Sequence, residues 1–166
     1  GTIGDHGVAV LSKREGLTFD TEIVSDAAAL HTLVAAMIKV APNIHTMRDP
    51  TRGGLATLLN EIAQESGVGI VIQENEVPVA PAVQGACELL GLDPLYVANE
   101  GKLVAFCPQD EAEALLAAMR AHPLGRRASI IGTVVDDQDR FVQMETSFGG
   151  CRLVDWLVGE QLPRIC

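Results

Sequence analysis

The sequence predicts an α+β domain, a mixed β-sheet with helices packed on it in α/β/α layers. Three observations carry this. Helical and strand-like periods alternate through the middle of the chain. Strand-like runs follow one another near its end. The chain has 166 residues, 48% hydrophobic and 20% charged, which is the size and composition of one soluble globular domain. A chain this long buries roughly two-thirds of its unfolded surface and needs no disulfide or metal to hold a core.

In chain order, Val8 and Leu11 share a helical face, so the short run 8–11 leans towards helix. Ser25 is a candidate N-cap with Asp26 in the first turn. Leu30, Leu33, Val34, Met37 and Ile38 follow at helical spacing, which predicts a helix over 26–40. Ala41-Pro42-Asn43 stops it, and 44–47 is a short strand or an extended lead-in. A second helix spans 52–66, with Leu55, Leu58, Leu59, Ile62 and Ala63 on one face and Ser66-Gly67 as its stop. Val68, Ile70 and Ile72 alternate, so 67–73 is a strand. Pro81 suits the first turn of a helix over 81–90 that buries Val83, Ala86, Cys87 and Leu90. Residues 102–107 form the next strand. Asp110 and Glu113 resemble a capping box opening a helix over 110–121, with Leu115, Leu116 and Met119 inward. Strands at 128–135 and 140–145 flank the turn Asp136-Asp137-Gln138-Asp139, and 151–154 adds a short last strand. No internal repeat or linker is visible.

Charge and ends narrow the function classes. With 12 Lys+Arg against 22 Asp+Glu, the net charge is −10, which argues against binding nucleic acid through clustered cations. The apolar runs 27–30 and 33–38 are far short of the roughly 20 residues a membrane span needs. The chain opens at Gly1 with no initiator Met and no secretory signal. It reads as a cytoplasmic fragment or processed piece, with part of any active site outside it.

The cysteines are Cys87, Cys107, Cys151 and Cys166. No pair forms C-x-x-C, so dithiol and zinc-ribbon chemistry have little support. Cys87 and Cys107 read as packing residues, and Cys151 as a core or turn thiol behind Phe148-Gly149-Gly150. Cys166 differs, because a terminal side chain is rarely packed. Leu162-Pro163-Arg164-Ile165 before it reads as an extended arm, since Pro163 cannot continue a helix or central strand. A thiol with an ordinary pKa of about 8.5 is already a competent nucleophile at neutral pH.

Three polar turns carry the remaining chemistry. In Met47-Arg48-Asp49-Pro50-Thr51-Arg52-Gly53-Gly54-Leu55 two glycines open a helix, each costing roughly 1 kcal/mol against Ala. Two readings of this turn stand. One is an anion site, where Arg48, Thr51, Arg52 and the helix N-terminus meet a phosphate and Asp49 holds Mg2+. The other is a tight strand-to-helix turn capped by Asp49, with Gly53 and Gly54 packed against a neighbour. No Walker A loop occurs. Ile3-Gly4-Asp5-His6-Gly7 suits a backbone that approaches a ligand, or a turn capped by Asp5. In Asn99-Glu100-Gly101, Glu100 lies on a loop leading into a strand. That placement suits a partly desolvated general base, or an ordinary turn residue.

Gly1-Thr2-Ile3-Gly4-Asp5-His6-Gly7, Arg48-Asp49-Pro50-Thr51-Arg52-Gly53-Gly54, Ala98-Asn99-Glu100-Gly101 and the terminal Pro163-Arg164-Ile165-Cys166 together resemble the HypE family of hydrogenase maturation factors. The likeness is to that family's C-terminal domain, within the AIR-synthase-like (PurM-like) superfamily, and it runs from the first motif to the last residue. The D-P-T-R-G-G stretch is shared across the superfamily, whereas the terminal P-R-I-C is far more specific. The resemblance implies a PurM-like domain over 1–161 and an arm over 162–166. It implies an ATP-dependent carbamoyl dehydratase in which Cys166 receives a carbamoyl group from a carbamoyltransferase. ATP then activates the carbamoyl oxygen, and loss of phosphate and a proton leaves a thiocyanate. The cyanide passes to iron on a scaffold complex for the [NiFe]-hydrogenase centre. By the same resemblance Glu100 takes the proton. Arg48, Asp49, Thr51, Gly53, Gly54, Asp5 and His6 contribute to an ATP and Mg2+ site shared with an N-terminal domain, and the full-length protein is a homodimer. No metal ligand is assigned, and this domain alone is expected to be inactive. Two other readings remain: another PurM-like ATP-dependent synthetase with Cys166 incidental, and a non-catalytic carrier or interaction module.

Overall fold

The computed structural model describes residues 1–17, 19 and 21–156. Cys166 and the expected arm over 162–166 lie outside the described residues. The helices are α1 (Asp5–Glu15), α2 (His31–Val40), α3 (Gly54–Ser66), α4 (Pro81–Leu90) and α5 (Ala112–Ala121). The strands are β1 (Thr46–Arg48), β2 (Gly69–Gln73), β3 (Val104–Phe106), β4 (Gly132–Val135), β5 (Val142–Glu145) and β6 (Cys151–Leu153). The α+β class holds, with the strands shared between two sheets. β1 and β3 form an antiparallel ribbon, and the other four run in the order β4-β2-β5-β6. This second sheet is mixed: β2 is antiparallel to β4 and parallel to β5, and β5 is antiparallel to β6.

Three apolar clusters hold the layers together. The α3 face predicted from its spacing packs Leu55, Leu58, Leu59 and Ile62 against Ile70, Ile72, Val142 and Met144 of the four-stranded sheet. α1 and α4 meet through Val8, Val83, Ala86 and Cys87, joined by Val97. α2 and α5 cover the β1–β3 ribbon through Leu33, Met37 and Leu115, with Met47, Leu103 and Ala105 against them. Buried side chains of this size contribute about 1.5–3 kcal/mol each.

The strands expected over 128–135 and 140–145 form as the shorter β4 and β5 on either side of the turn, but they do not pair. β2 lies between them, with Gly69 opposite Val135 and Ile70 opposite Val142. The connection therefore passes over the N-terminal end of β2. There the Asp137 carboxylate accepts from the Asp139 and Phe141 N–H groups. A Cβ on Gly69 would stand 2.6 Å from Asp137 Cβ, so the crossing requires glycine at that point.

Several expectations need correction. The helix predicted over 26–40 starts at His31, because its proposed cap is engaged elsewhere. The Ser25 hydroxyl faces His6 Nδ1 and accepts from Ala27 N–H, and Asp26 pairs with Lys102. α5 starts at Ala112 behind a 3-10 turn over Gln109–Glu111, and no side chain caps either, so the Asp110–Glu113 capping box is not made. α3 starts at Gly54 with Gly53 as its N-cap and no side-chain cap, so Asp49 does not cap it. Cys151 is exposed on the edge strand β6, its thiol donating to Gln143 Oε1 at 3.3 Å; it is not a core residue. Cys87 is fully buried, as expected.

Candidate functional site

The three polar turns, far apart in sequence, meet at Asn99. This side chain is 1% exposed. Its Oδ1 accepts the Gly4 N–H at 2.8 Å. Its Nδ2 donates to the Pro50 carbonyl at 3.0 Å and the Val97 carbonyl at 2.9 Å. Its own N–H also donates to Pro50 O, and Gly7 N–H donates to Ala98 O. Three side-chain bonds thus satisfy a buried amide that would otherwise carry a desolvation cost of several kcal/mol, roughly 2–7.

The glycines explain how the segments come so close. Gly54 has φ 64°, and a Cβ there would stand 2.4 Å from Leu95 O and 2.7 Å from Val97 O. A Cβ on Gly7 would stand 2.4 Å from Val97 Cγ1. The reading of Gly54 as packed against a neighbour therefore holds, and the neighbour is the segment leading to Asn99 and Glu100.

Glu100 is half-buried and follows this anchor directly. On its other side Gly101 lies against the segment before α2: a Cβ there would fall on Asp26 O. Lys102 then pairs with Asp26. Burial holds the Lys102 ammonium below its usual pKa; the Asp5 charge opposes this and Arg127 adds to it.

The other expected residues occupy two turns around this anchor. Asp5, at the start of α1, accepts from the Thr2 hydroxyl at 2.6 Å, and His6 Nδ1 lies 2.8 Å from Ser25 Oγ. Arg48 leaves β1 and pairs with Glu61 of α3 at 2.7 Å, both partly exposed. Such a pair contributes about 0–1 kcal/mol, so a phosphate competes with it readily. Asp49 and Arg52 are exposed, and Thr51 is half-buried. The uncapped N-terminus of α3 beside Thr51 and Arg52 is a donor set that suits phosphate oxygens. Among the described residues no group of three His, Cys, Asp or Glu side chains gathers to hold a metal. Magnesium usually takes one or two carboxylates together with substrate phosphates, and Asp49 is the carboxylate available beside these donors.

Asn99 as the common anchor and the Asp26–Lys102 pair were not assigned roles from the sequence. The available signal for Asn99 was an amide closing the apolar run Leu95-Tyr96-Val97-Ala98. Asp26 gave none, since it also suits the first turn of a helix. No described helix is long and apolar enough to cross a membrane.

The chain is 69% identical over 166 residues to carbamoyl dehydratase HypE of Cupriavidus necator, covering all of this chain and 47% of that protein. It is 66% identical to the protein of the same name from Azotobacter vinelandii, covering 49% of it. The chain thus spans about half the length of these relatives. Among solved structures it resembles hydrogenase maturation protein HypE, with a TM-score of 0.94 and 48% identity over 100% of this chain and 54% of that one. A HypE solved in complex with ATP gives a TM-score of 0.93 at 48% identity, over 100% of this chain and 51% of that one. A HypE–HypF complex gives 0.91 at 48% identity, over 95% and 51%. Residues 1–145 match the family described as AIR synthase related protein, C-terminal domain, and the chain belongs to that family.

Proposed function

We propose that this chain is the C-terminal domain of an ATP-dependent carbamoyl dehydratase that converts a carbamoylated Cys166 to a thiocyanate. One observation carries the reading: the buried Asn99 ties the glycine turn at Gly4, the Pro50–Gly54 turn and the segment of Glu100 into one unit. A carboxylate is thereby held beside a turn whose donors suit polyphosphate. The identity to carbamoyl dehydratases and the likeness to an ATP-bound HypE support the same reading.

In this proposal the arm over 162–166 carries the carbamoyl group between sites. ATP supplies the phosphoryl group that makes the carbamoyl oxygen a leaving group. Glu100 takes the proton from the carbamoyl nitrogen. Arg48, Thr51 and the backbone at Gly53 and Gly54 would hold phosphate oxygens, Asp49 would supply a carboxylate to the magnesium ion that accompanies them, and Asp5 and His6 would shape the adjoining turn. The remaining metal ligands come from the other half of the protein, which also carries its dimer contacts. The partners are a carbamoyltransferase and an iron scaffold that receives cyanide for hydrogenase maturation in the cytoplasm. The first partner is supported by the solved HypE–HypF complex.

Intact-mass measurement on the full-length protein tests this. Incubation with the carbamoyltransferase, carbamoyl phosphate and ATP should add a carbamoyl group on Cys166, and the adduct should then lose the mass of one water as ATP is hydrolysed. An adduct that never dehydrates would make the domain a carrier, and absence of any adduct would overturn the assignment of Cys166.

A further inference from the structure

We infer that Glu61 is a positioning residue for the nucleotide site: it holds the Arg48 guanidinium back from the N-terminus of α3, and a phosphate group must draw Arg48 off it to bind. The inference rests on the dehydratase reading above, in which Arg48 meets phosphate, and it adds a role to a residue outside the assigned set. Its basis is where Arg48 is engaged. Arg48 Nη2 donates to Glu61 Oε2 at 2.7 Å, the short distance of a charge-assisted bond. Glu61 stands seven residues beyond Gly54 on α3, about 10 Å along the axis at 1.5 Å per residue. A helical side chain covers the turn before its own Cα, so Glu61 lies over the turn of Thr57 and Leu58. That is one turn short of the Gly53–Gly54 backbone.

The route between the two places is open along one face. Gly53, Thr57 and Glu61 recur every four residues and so share a face of α3. Thr57 stands directly over the turn, because a Cβ on Gly53 would fall on its side chain. The backbone of Arg48 is fixed by strand pairing opposite Val104. The exchange is therefore a movement of the Arg48 side chain by about one helical turn, roughly 5 Å, with the turn itself unmoved.

The pair is weak enough to be displaced. Its side chains are 41% and 36% exposed, and an ion pair in that setting contributes little. A phosphate accepts two parallel bonds from a guanidinium and carries more charge than a carboxylate, so it wins the exchange. A singly charged anion competes with Glu61 on equal terms and gains nothing. The exchange leaves Glu61 without its counter-charge, which lowers the affinity for nucleotide by the strength of the pair, about two- to five-fold.

Glu61→Gln keeps the shape and removes the charge, and Glu61→Ala removes the acceptor as well. Loss of a negative charge near an anion site also favours binding in a general way, and two controls separate that effect. Glu65→Gln removes the same charge from an exposed position one turn further along α3. Arg48→Ala removes the group on which Glu61 is inferred to act.

The test uses the full-length protein and Mg-ATP, read by calorimetric titration and by the KM of dehydration followed by intact mass. Glu61→Gln and Glu61→Ala should each lower Kd and KM by about two- to five-fold, with kcat held within about twofold. Glu65→Gln should leave Kd unchanged. Arg48→Ala should raise Kd about tenfold or more, and Glu61→Gln added to it should bring no gain. An unchanged Kd in both Glu61 variants would overturn the inference. So would a raised Kd, which would mean that Glu61 aims Arg48 at the phosphate. A gain of equal size in Glu65→Gln, or in the Arg48→Ala background, would reduce the effect to charge alone and overturn it too. Arg48→Ala with wild-type affinity would refute the assignment of Arg48 to phosphate, and the inference with it. Wild-type protein that binds Mg-ATP but never dehydrates would refute the dehydratase reading, while the titrations still decide the role of Glu61.

Discussion

Glu100 and the cysteines show how a residue's chemistry depends on its immediate surroundings. Glu100 is half-buried and held on both flanks, a setting in which its carboxylate is presented at a constant place. Glu100→Gln keeps that shape and removes the proposed base. Carbamoylation of Cys166 should be unaffected, and dehydration should slow by about 10²–10⁴-fold, the usual contribution of a positioned base, measured by mass spectrometry. The thiols differ in environment. Burial, with the Asp93 and Glu88 charges nearby, pushes the Cys87 thiol up to about 11, and burial, with Glu111 and Asp110, pushes Cys107 up as well. Cys151 is exposed. Brief alkylation at pH 8 should therefore modify Cys151 first among these three and spare Cys87 until the protein unfolds, as read by peptide mass mapping. The folded Cys87 keeps its proton to higher pH than an unfolded thiol. Stability should accordingly be intact at neutral pH and decline as pH rises from about 8.5 towards about 11. Burial of Cys87 was legible because it lies on an apolar helix face. The exposure of Cys151 was not, because a strand's place at a sheet edge is invisible in its own residues.

At the scale of elements, helix bodies were legible and their starts were not. The apolar stripes of α3, α4 and α5 match the faces turned to the core, since a helix needs only its own period to declare them; that of α2 does so at Leu33 and Met37, while Ile38, expected on the same face, is exposed. The starts of α2 and α5 moved because Ser25 and Asp110 suit an N-cap locally, and the contacts made in the folded chain decide whether they serve as one. α3 shows the strongest dependence on a single residue. Gly54→Ala forces a side chain into the left-handed region and against Leu95 O. It should destabilise the fold by about 2–4 kcal/mol, seen in thermal unfolding at about 2–4 °C per kcal/mol. Asn60, 5% exposed on α3, donates to Ala56 O and to Val154 O beyond β6. Asn60→Ala strands the Val154 carbonyl and should cost about 1–3 kcal/mol, with the loss visible as earlier exchange of amides in β6.

For the whole molecule, net charge and the division of the site set the expectation for nucleotide binding. In the proposed reading a chain of charge −10 would hold phosphates through local donors, here the α3 N-terminus, Thr51 and Arg52. The chain is about half the length of its relatives. We expect the 166-residue chain to bind Mg-ATP weakly or not at all by calorimetric titration, while the full-length protein binds it measurably. Tight binding by the short chain would show that the phosphate donors on this half suffice.

Periodicity, glycine placement and motif spacing were enough to declare the α+β class, the buried helix faces and the residues with chemistry to offer. These are properties of short windows, and local sterics and solvation settle them. Which strand lies beside which, the insertion of β2 between β4 and β5, and the meeting of three turns on one buried amide were decided only in three dimensions. They depend on contacts between segments as far apart as Gly4 and Asn99. A short window of sequence records the polarity of Asn99 but not the three partners that give it work to do.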